Sequence, residues 1–254
     1  MNKPVVLIGM GEMGGVFARG FLRAGYPVFP VTRSMNMADQ AKQLPEPELV
    51  LLAVAENDLH PVLDTMPEVW RDKLVLLQNE LLPADWQTHQ LSQPTVISVW
   101  FEKKKGQDAK VIIPSPVYGP KAQLVHDALA SIEIASEILD SEAQLLFELV
   151  VKNLYILTTN ISGLETGGNV GELWARHREV AEAVATDVIA IQQALTGEVF
   201  EVKALLDAML VAFNGDPEHM CMGRSAPGRL QRALSQASEK SVEVPKLQAI
   251  ASAL

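Results

Sequence analysis

The chain has 254 residues, of which 48% are hydrophobic and 20% charged, a composition typical of a globular protein large enough for two domains. Its formal net charge of -10, from 31 acidic and 21 basic residues, would repel polyanions, which excludes nucleic acid and anionic membranes as expected partners. One cysteine, Cys221, cannot form an internal disulfide, and the amino terminus lacks the pattern of an export signal. We therefore expect a cytoplasmic protein that binds a small molecule.

The first thirty residues predict a strand, a glycine turn and a helix. Residues 5–8 form a short apolar run, and the residues after the turn place apolar side chains at helical spacing. A second strand is expected at residues 28–32, where Pro30 cannot donate a ladder hydrogen bond, so this strand should lie at a sheet edge. The short connection to the next strand, at residues 49–54, leaves no room for another strand and helix, which favours the same placement.

Apolar runs and helical stretches then alternate as far as residue 140. This alternation predicts a Rossmann-like, doubly wound and mostly parallel α/β sheet. Further strands are expected at residues 74–77, 96–100, 111–113 and 132–134. Helices are expected at residues 58–66, 83–91 and 121–130. The first domain is therefore predicted to cover residues 1–138.

After residue 140 the strand signals stop, and amphipathic helical patterns replace them. Helices are expected at residues 141–160, 170–195, 201–213 and 227–239 and from residue 245 to the end. The most apolar stretch, residues 145–157, contains Glu148, Lys152 and Asn153 and is too short to cross a bilayer. The pattern predicts an all-helical second domain over residues 139–254.

A glycine fingerprint lies between the first strand and the first helix, at Gly9, Gly11 and Gly14. The first glycine permits the tight turn, the second lets the backbone approach a pyrophosphate, and the third lets helix and strand pack closely. The alternative is an accidental glycine-rich turn. The residues predicted to bind a dinucleotide here are Gly9, Met10, Gly11, Glu12, Met13 and Gly14. Because the carboxylate of Glu12 would oppose a pyrophosphate, we expect it to point away.

The end of the second strand indicates which dinucleotide is bound. NAD sites commonly have an acidic residue there, whereas a 2′-phosphate favours an arginine and a small hydroxyl. Arg33 and Ser34 therefore predict NADP(H), the alternative being a solvated arginine in a turn. Asn79 follows another strand and is expected at the same sheet edge, where doubly wound folds bind ligands.

Lys152 is the most interesting ionisable residue of the helical part. On a helix it shares a face with Ile156 and Asn160, so we expect it to be partly buried. Burial would lower its pKa and make it a better proton donor near neutrality. The alternative is an ordinary helical salt bridge between Glu148 and Lys152.

Four stretches of the sequence form a wider pattern. They are the glycine turn with Arg33, Leu77-Gln78-Asn79 followed by Glu80, Lys152 with Asn160 eight residues later, and Gly223-Arg224 followed by Val244-Pro245. Together they resemble the ketopantoate reductase (2-dehydropantoate 2-reductase) family, in which a glycine stands where this chain has Glu80.

The resemblance implies a Rossmann domain joined to a helical domain, with a 2-oxo acid bound in the cleft between them. It implies that Lys152 protonates the substrate oxygen while the nicotinamide delivers a hydride to the neighbouring carbon. Asn79 and Asn160 match family positions that orient substrate or cofactor. The predicted function is an NADPH-dependent reductase of a small 2-oxo acid or related carbonyl compound; a homodimer is left open.

Three departures from the family pattern bear on the substrate. Ile156 stands where the family usually has a second asparagine, and Ser225 stands where the family has an acidic substrate-binding residue. Ala55 follows the strand predicted at residues 49–54, where the family often has a lysine. Loss of a carboxylate suggests a different or less polar substrate. The departures also motivate an alternative, an NADP(H)-binding sensor or scaffold without catalysis. A β-hydroxyacid dehydrogenase is less favoured, because residues 142–151 contain no glycine.

Other polar residues carry no functional prediction. Asp216, Glu218, His219 and Cys221 lack the spacing of a closed metal site, so no metal is predicted and a polar loop is expected. Residues 103–105 form a basic run typical of a solvated loop. The histidines are scattered, without a serine or cysteine motif that would indicate a nucleophile.

Overall fold

The computed structural model describes residues 2–254 and divides into two compact units. The first unit ends at Glu148, and the second comprises Leu149–Leu254. The division therefore falls inside a long helix, later in the chain than residue 138. The start of this helix is tied to the first unit, because the side-chain amide of Gln93 donates a hydrogen bond of 3.1 Å to Glu142.

The first unit is built on a seven-stranded sheet. The described residues of the first unit contain nine strands, seven in this sheet and two in a separate ribbon: β1 Val5–Ile8, β2 Val28–Val31, β3 Leu49–Leu52, β4 Leu74–Leu76, β5 Thr95–Ile97, β6 Phe101–Glu102, β7 Lys110–Val111, β8 Ser115–Tyr118 and β9 Ser136–Ile138. The large sheet has the order β2-β1-β3-β4-β5-β8-β9, and all neighbours are parallel except β5 and β8. The predicted mostly parallel α/β sheet is confirmed.

Strand β2 lies at the sheet edge, as Pro30 predicts. Proline lacks an amide hydrogen, and only an edge strand can leave that side of its backbone unpaired. Strand β1 lies next to it, and its four residues are all buried, which explains their uninterrupted apolar character.

Five helices belong to the first unit: α1 Glu12–Arg23, α2 Met37–Gln43, α3 Leu59–Asp64, α4 Pro83–Gln87 and α5 Ala122–Ala130. Helices α1 and α5 pack closely, and a Cβ on Gly20 of α1 would lie 2.6 Å from the carbonyl oxygen of Ala128 in α5. Phe17 and Phe21, on the same face of α1, are fully buried. This face fixes α1, and hence the glycine turn before it, onto the sheet.

Two predicted strands of the first unit are wrong in position. Residues 111–113 contribute only Val111 to a strand, β7, which pairs with β6 outside the main sheet. Residues 132–134 form a turn after α5, in which Glu133 has a positive φ of 63°. The sheet instead contains β8 and β9. The sequence analysis does not predict β8, which contains Pro116 although it is paired on both sides, a position that proline rarely occupies.

The second unit consists of helices. They are α6 Glu142–Thr166, which begins in the first unit, α7 Val170–Arg176, α8 Arg178–Thr196, α9 Val202–Gly215, α10 Ala226–Glu239 and α11 Pro245–Ala253. The predicted all-helical region is confirmed, although the helix expected at residues 170–195 is divided at His177. Among residues 2–254, no helix is both long and apolar enough to cross a bilayer.

Helix α6 continues through Gly163 to Thr166, beyond residue 160, where the sequence predicts its end. A Cβ at Gly163 would lie 2.9 Å from the Cβ of Cys221. The glycine therefore permits close packing of the segment around Cys221 against the helix, and it does not end the helix. Burial raises the pKa of the Cys221 thiol to about 11, as expected for an inert packing residue.

Candidate active site

The glycine turn has the close backbone contacts that the fingerprint requires. Gly9 has a φ of +95°, and a Cβ there would lie 2.5 Å from the carbonyl oxygen of Ala53. A Cβ on Gly14 would lie 2.2 Å from the carbonyl oxygen of Gly9. Both contacts are far below any real Cβ distance, so these two positions tolerate only glycine.

Gly11 has a different role. A Cβ there would meet no other part of the described chain within 4 Å, so the glycine leaves the space above the turn open. Gly11 is also the N-cap residue of α1, and it provides no side-chain cap. The first amide groups of the helix are thus available to an anion, and the helix dipole favours one there.

The carboxylate of Glu12, beside this anion site, is paired with a cation. It lies 3.1 Å from the Nζ atom of Lys103, which follows strand β6. The pair neutralises the acidic charge that the sequence places beside the predicted pyrophosphate. Lys103 is therefore a partner of the turn, which corrects its interpretation as part of a solvated loop.

A cavity of about 780 Å³ adjoins the turn. Gly9, Met10 and Gly11 line one part of it, and Thr32 and Arg33 line another. The remaining walls are largely apolar, from the segments after β1, β2 and β3 and from α3. Its location outside the carboxyl ends of parallel strands is where doubly wound folds bind nucleotides.

Arg33 stands at the rim of this cavity. Its guanidinium donates a hydrogen bond of 2.8 Å to the carboxylate of Asp58, and its side chain is 92% exposed. The hydroxyls of Ser34 and Thr32 are 3.1 Å apart. Arg33 is thus a surface cation that a bound phosphate could recruit, although Asp58 competes for it.

Asn79 lies directly after the buried strand β4 and a buried Gln78. The Gln78 amide donates to the carbonyl oxygens of Leu52, at 2.8 Å, and Val54, at 3.3 Å. Gln78 therefore holds together the two loops that follow β3 and β4. The amide of Asn79 donates to the carboxylate of Glu56 at 3.0 Å, which fixes its orientation.

Glu80 stands where the ketopantoate reductase family has a glycine. Its φ is 59°, in the left-handed region that side chains disfavour and glycine adopts freely. The family's glycine at this position is accounted for by the same backbone geometry. This chain keeps the turn and accepts the strain of a glutamate.

In the second unit, the structure brings Lys152 and Asn160 together with a residue that the sequence does not single out. Asn160 is buried, and its side-chain oxygen accepts a hydrogen bond of 3.0 Å from the guanidinium of Arg229 in α10. Lys152 and Arg229 are both half-buried. The Nζ atom of Lys152 lies 5.9 Å from the centre of the Tyr155 ring.

The electrostatics of this cluster favour a proton donor. Burial lowers the pKa of Lys152 to about 7, and the positive charge of Arg229 contributes in the same direction. The pKa of Glu148 is raised to about 7 by its burial and then by the charge of Glu137. A salt bridge between Glu148 and Lys152 would lower the pKa of Glu148 and raise the pKa of Lys152. Both shifts have the other sign, so a salt bridge between these two residues is not supported.

The structure shows where two residues that differ from the family pattern, Ile156 and Ser225, lie. Ile156 is buried on α6, and Ser225 is exposed at the start of α10. Arg229 lies one helical turn after Ser225, so the chain has a cation close to where the family pattern predicts an acid. Sequence reasoning missed Arg229 because only its proximity to Lys152 and Asn160, contributed by another helix, distinguishes it from a surface arginine.

Comparison with known proteins gives a result at the level of the fold. No family model matches the chain, and no curated protein matches it. Among solved structures, the dimeric ketopantoate reductase of Staphylococcus aureus is 15% identical, with a TM-score of 0.67 over 98% of this chain and 96% of that one. The 2-dehydropantoate 2-reductase of Methylococcus capsulatus is 13% identical, with a TM-score of 0.64 over 97% and 94%.

A third example agrees with these two. The ketopantoate reductase of the PanE/ApbA family from Ralstonia eutropha is 15% identical, with a TM-score of 0.68 over 97% of this chain and 95% of that one. The matches span nearly the whole length of both chains, in spite of the low identity. The resemblance predicted from the sequence is confirmed for the fold: this chain has the fold of the ketopantoate reductases.

Proposed function

We propose that the chain is an NADPH-dependent reductase of a small 2-oxo acid. The observation that carries this proposal is the cluster of Lys152, Asn160 and Arg229. It combines an ammonium group whose pKa is about 7 with a second, permanently charged cation. Such a pair suits a substrate that has a carbonyl oxygen to protonate and a carboxylate to bind.

The first unit would hold the cofactor. The amides at the start of α1 suit the pyrophosphate, the cavity of about 780 Å³ suits the adenosine half, and Arg33 suits a 2′-phosphate. When bound, the cofactor supplies the hydride that reduces the carbonyl carbon. Asn79, fixed by Glu56, would orient cofactor or substrate at the same sheet edge.

In the proposed reaction, the guanidinium of Arg229 binds the substrate carboxylate, and Asn160 holds that guanidinium in place. The Nζ atom of Lys152 donates its proton to the carbonyl oxygen as the neighbouring carbon accepts a hydride. The product is a 2-hydroxy acid, and the neutral amine then regains a proton from water. A pKa near 7 suits this step, because the ammonium is present at neutral pH and gives up its proton readily.

Titration of the purified protein with NADPH and NADH tests the cofactor part of the proposal. Assays that follow the oxidation of NADPH in the presence of a panel of 2-oxo acids, including ketopantoate, test the reaction. Tight NADPH binding with turnover of one of these acids supports it. Binding without turnover of any of them would instead favour a sensor or scaffold. Failure to bind either nucleotide would contradict the proposal from its first step.

The choice of cofactor gives a paired prediction at Arg33 and Asp58. Arg33→Ala should weaken NADPH binding by about tenfold or more and leave NADH binding unchanged, since only NADPH has the 2′-phosphate. Asp58→Asn should strengthen NADPH binding, because it releases the guanidinium and removes a negative charge near the phosphate. Dissociation constants from fluorescence titration check both. Equal effects on the two nucleotides would contradict the assignment of Arg33.

The role of Arg229 predicts a change in both affinity and pH dependence. Arg229→Gln should raise KM for a 2-oxo acid by more than tenfold, while KM for a neutral ketone should change little. Removing the positive charge should also raise the pKa of Lys152, so the reductive activity should persist to a higher pH than in the wild type. Steady-state kinetics from pH 6 to pH 10 measure both. An unchanged pH profile would contradict the coupling between the two cations.

A further inference from the structure

Two histidines of the first unit, 29 residues apart in the sequence, meet in the fold. His60 lies on α3, and His89 follows α4. The Nδ1 atom of His60 is 2.8 Å from the Nε2 atom of His89. The rings meet edge to edge, with centres 5.1 Å apart and planes inclined by 30°. No sequence motif connects them.

Each ring has a carboxylate at its other nitrogen. The Nε2 atom of His60 lies 3.3 Å from Asp85, and the Nδ1 atom of His89 lies 3.2 Å from Asp64. The arrangement is crossed, since each aspartate belongs to the segment of the opposite histidine. Asp85 is held firmly, because its second carboxylate oxygen accepts a hydrogen bond of 2.7 Å from the amide of Leu82.

These contacts favour one arrangement of the ring hydrogens. An ionised carboxylate only accepts hydrogen bonds, so a ring that donates to its aspartate carries its hydrogen on the outer nitrogen. A neutral imidazole has one such hydrogen, so in this tautomer a lone pair is left on each inner nitrogen. A metal ion bound to both lone pairs removes their repulsion at 2.8 Å, as does the other tautomer of one ring, in which one inner nitrogen donates to the other.

We infer that the inner nitrogens of His60 and His89 bind a divalent ion of the zinc, nickel and copper class. Imidazole nitrogen suits these metals, and a ligating histidine typically has a carboxylate at its other nitrogen, as both rings have here. Two zinc–nitrogen bonds of about 2.0–2.1 Å at the tetrahedral angle place their nitrogens about 3.3 Å apart. The inner nitrogens must therefore move apart from 2.8 Å, and the rings must turn so that both lone pairs point at the ion.

The surroundings suit such an ion. Asp64 and Asp85 supply negative charge behind the two ligands, and the side chain of His60 is half exposed. Water can therefore fill the remaining coordination positions. With two protein ligands the affinity is expected in the micromolar range, well below that of a closed structural zinc site. The ion would link α3 to the segment after α4.

Isothermal titration of untagged, chelator-treated protein with ZnCl2 and NiCl2, together with thermal melting, tests the inference. We expect one equivalent of either ion to bind and to raise the melting temperature, while MgCl2 does neither. His60→Gln and His89→Gln should lose this binding. His126→Gln is the matched control, because His126 contacts Ser136 elsewhere in the first unit and should not affect the ion.

Asp64→Asn provides a milder variant that keeps both ligands. It should weaken zinc binding by about tenfold, through loss of the carboxylate behind His89. Circular dichroism of each variant establishes that it is folded. Absence of saturable binding in the folded wild type, or equal binding by His60→Gln, His89→Gln and wild type, would overturn the inference and leave a hydrogen bond between the two rings.

Discussion

Replacement of Lys152 by alanine is expected to lower the reductive turnover by about 10²–10⁴-fold, the usual contribution of a positioned general acid. NADPH affinity should change little, because the groups proposed to bind it, which are the glycine turn, Arg33 and the adjoining cavity, all belong to the first unit and do not include Lys152. Single-turnover kinetics at saturating cofactor measure the loss.

Two further variants separate charge from proton transfer at this position. Lys152→Arg keeps the positive charge but holds its proton too tightly to act as an acid near pH 7. It should therefore retain KM and lose kcat. If Lys152→Arg and wild type turned over at similar rates, Lys152 would only attract the substrate, and the proposed proton donation would be wrong.

The pH dependence of the wild type follows from the same pKa. The acid must be protonated, so reduction should fall as pH rises through about 7, and oxidation of the product should rise over the same range. The folded pKa lies below the ordinary value of 10.5, so the unfolded chain binds more protons between about 7 and 10.5. The contribution of Lys152 to stability therefore increases with pH across that range. Lys152→Met should remove this pH dependence from the free energy of unfolding, which urea unfolding at pH 7 and pH 10 measures.

How far the sequence predicts this molecule depends on whether a feature is local. The strand, glycine turn and helix of the first thirty residues follow from periodicity and from glycine geometry within one segment. The edge position of β2 follows from a single missing amide at Pro30. Strand β8 is not predicted, and no local signal marks it, because Pro116 lies inside a strand that pairs on both sides.

The candidate site shows the same division. Lys152 and Asn160 share one face of one helix, so their spacing alone links them. Arg229 reaches Asn160 from another helix, and His60 meets His89 across two separate segments. Neither pairing has a local signature, because each depends on how helices that are distant in the sequence pack. The residues that we propose to bind the substrate carboxylate and a metal ion therefore become recognisable only in the folded chain.

The glycine fingerprint predicts opposite effects of alanine at two adjacent glycines, Gly14 and Gly15. Gly14→Ala should abolish or severely weaken NADPH binding, because its Cβ would lie 2.2 Å from the carbonyl oxygen of Gly9 and force the turn apart. The same overpacking should lower the free energy of unfolding by about 1–3 kcal/mol or more. Titration with NADPH and urea unfolding measure the two effects.

Gly15→Ala is the matched control on the same helix. A Cβ there meets no other part of the described chain within 4 Å, and the position is exposed. Alanine is a better helix former than glycine, so this variant should gain about 0.5–1 kcal/mol of stability and keep its cofactor affinity. If both variants bound NADPH as the wild type does, the close contact at Gly14 would have no part in cofactor binding. A loss confined to Gly14→Ala would instead tie cofactor binding to that single backbone approach.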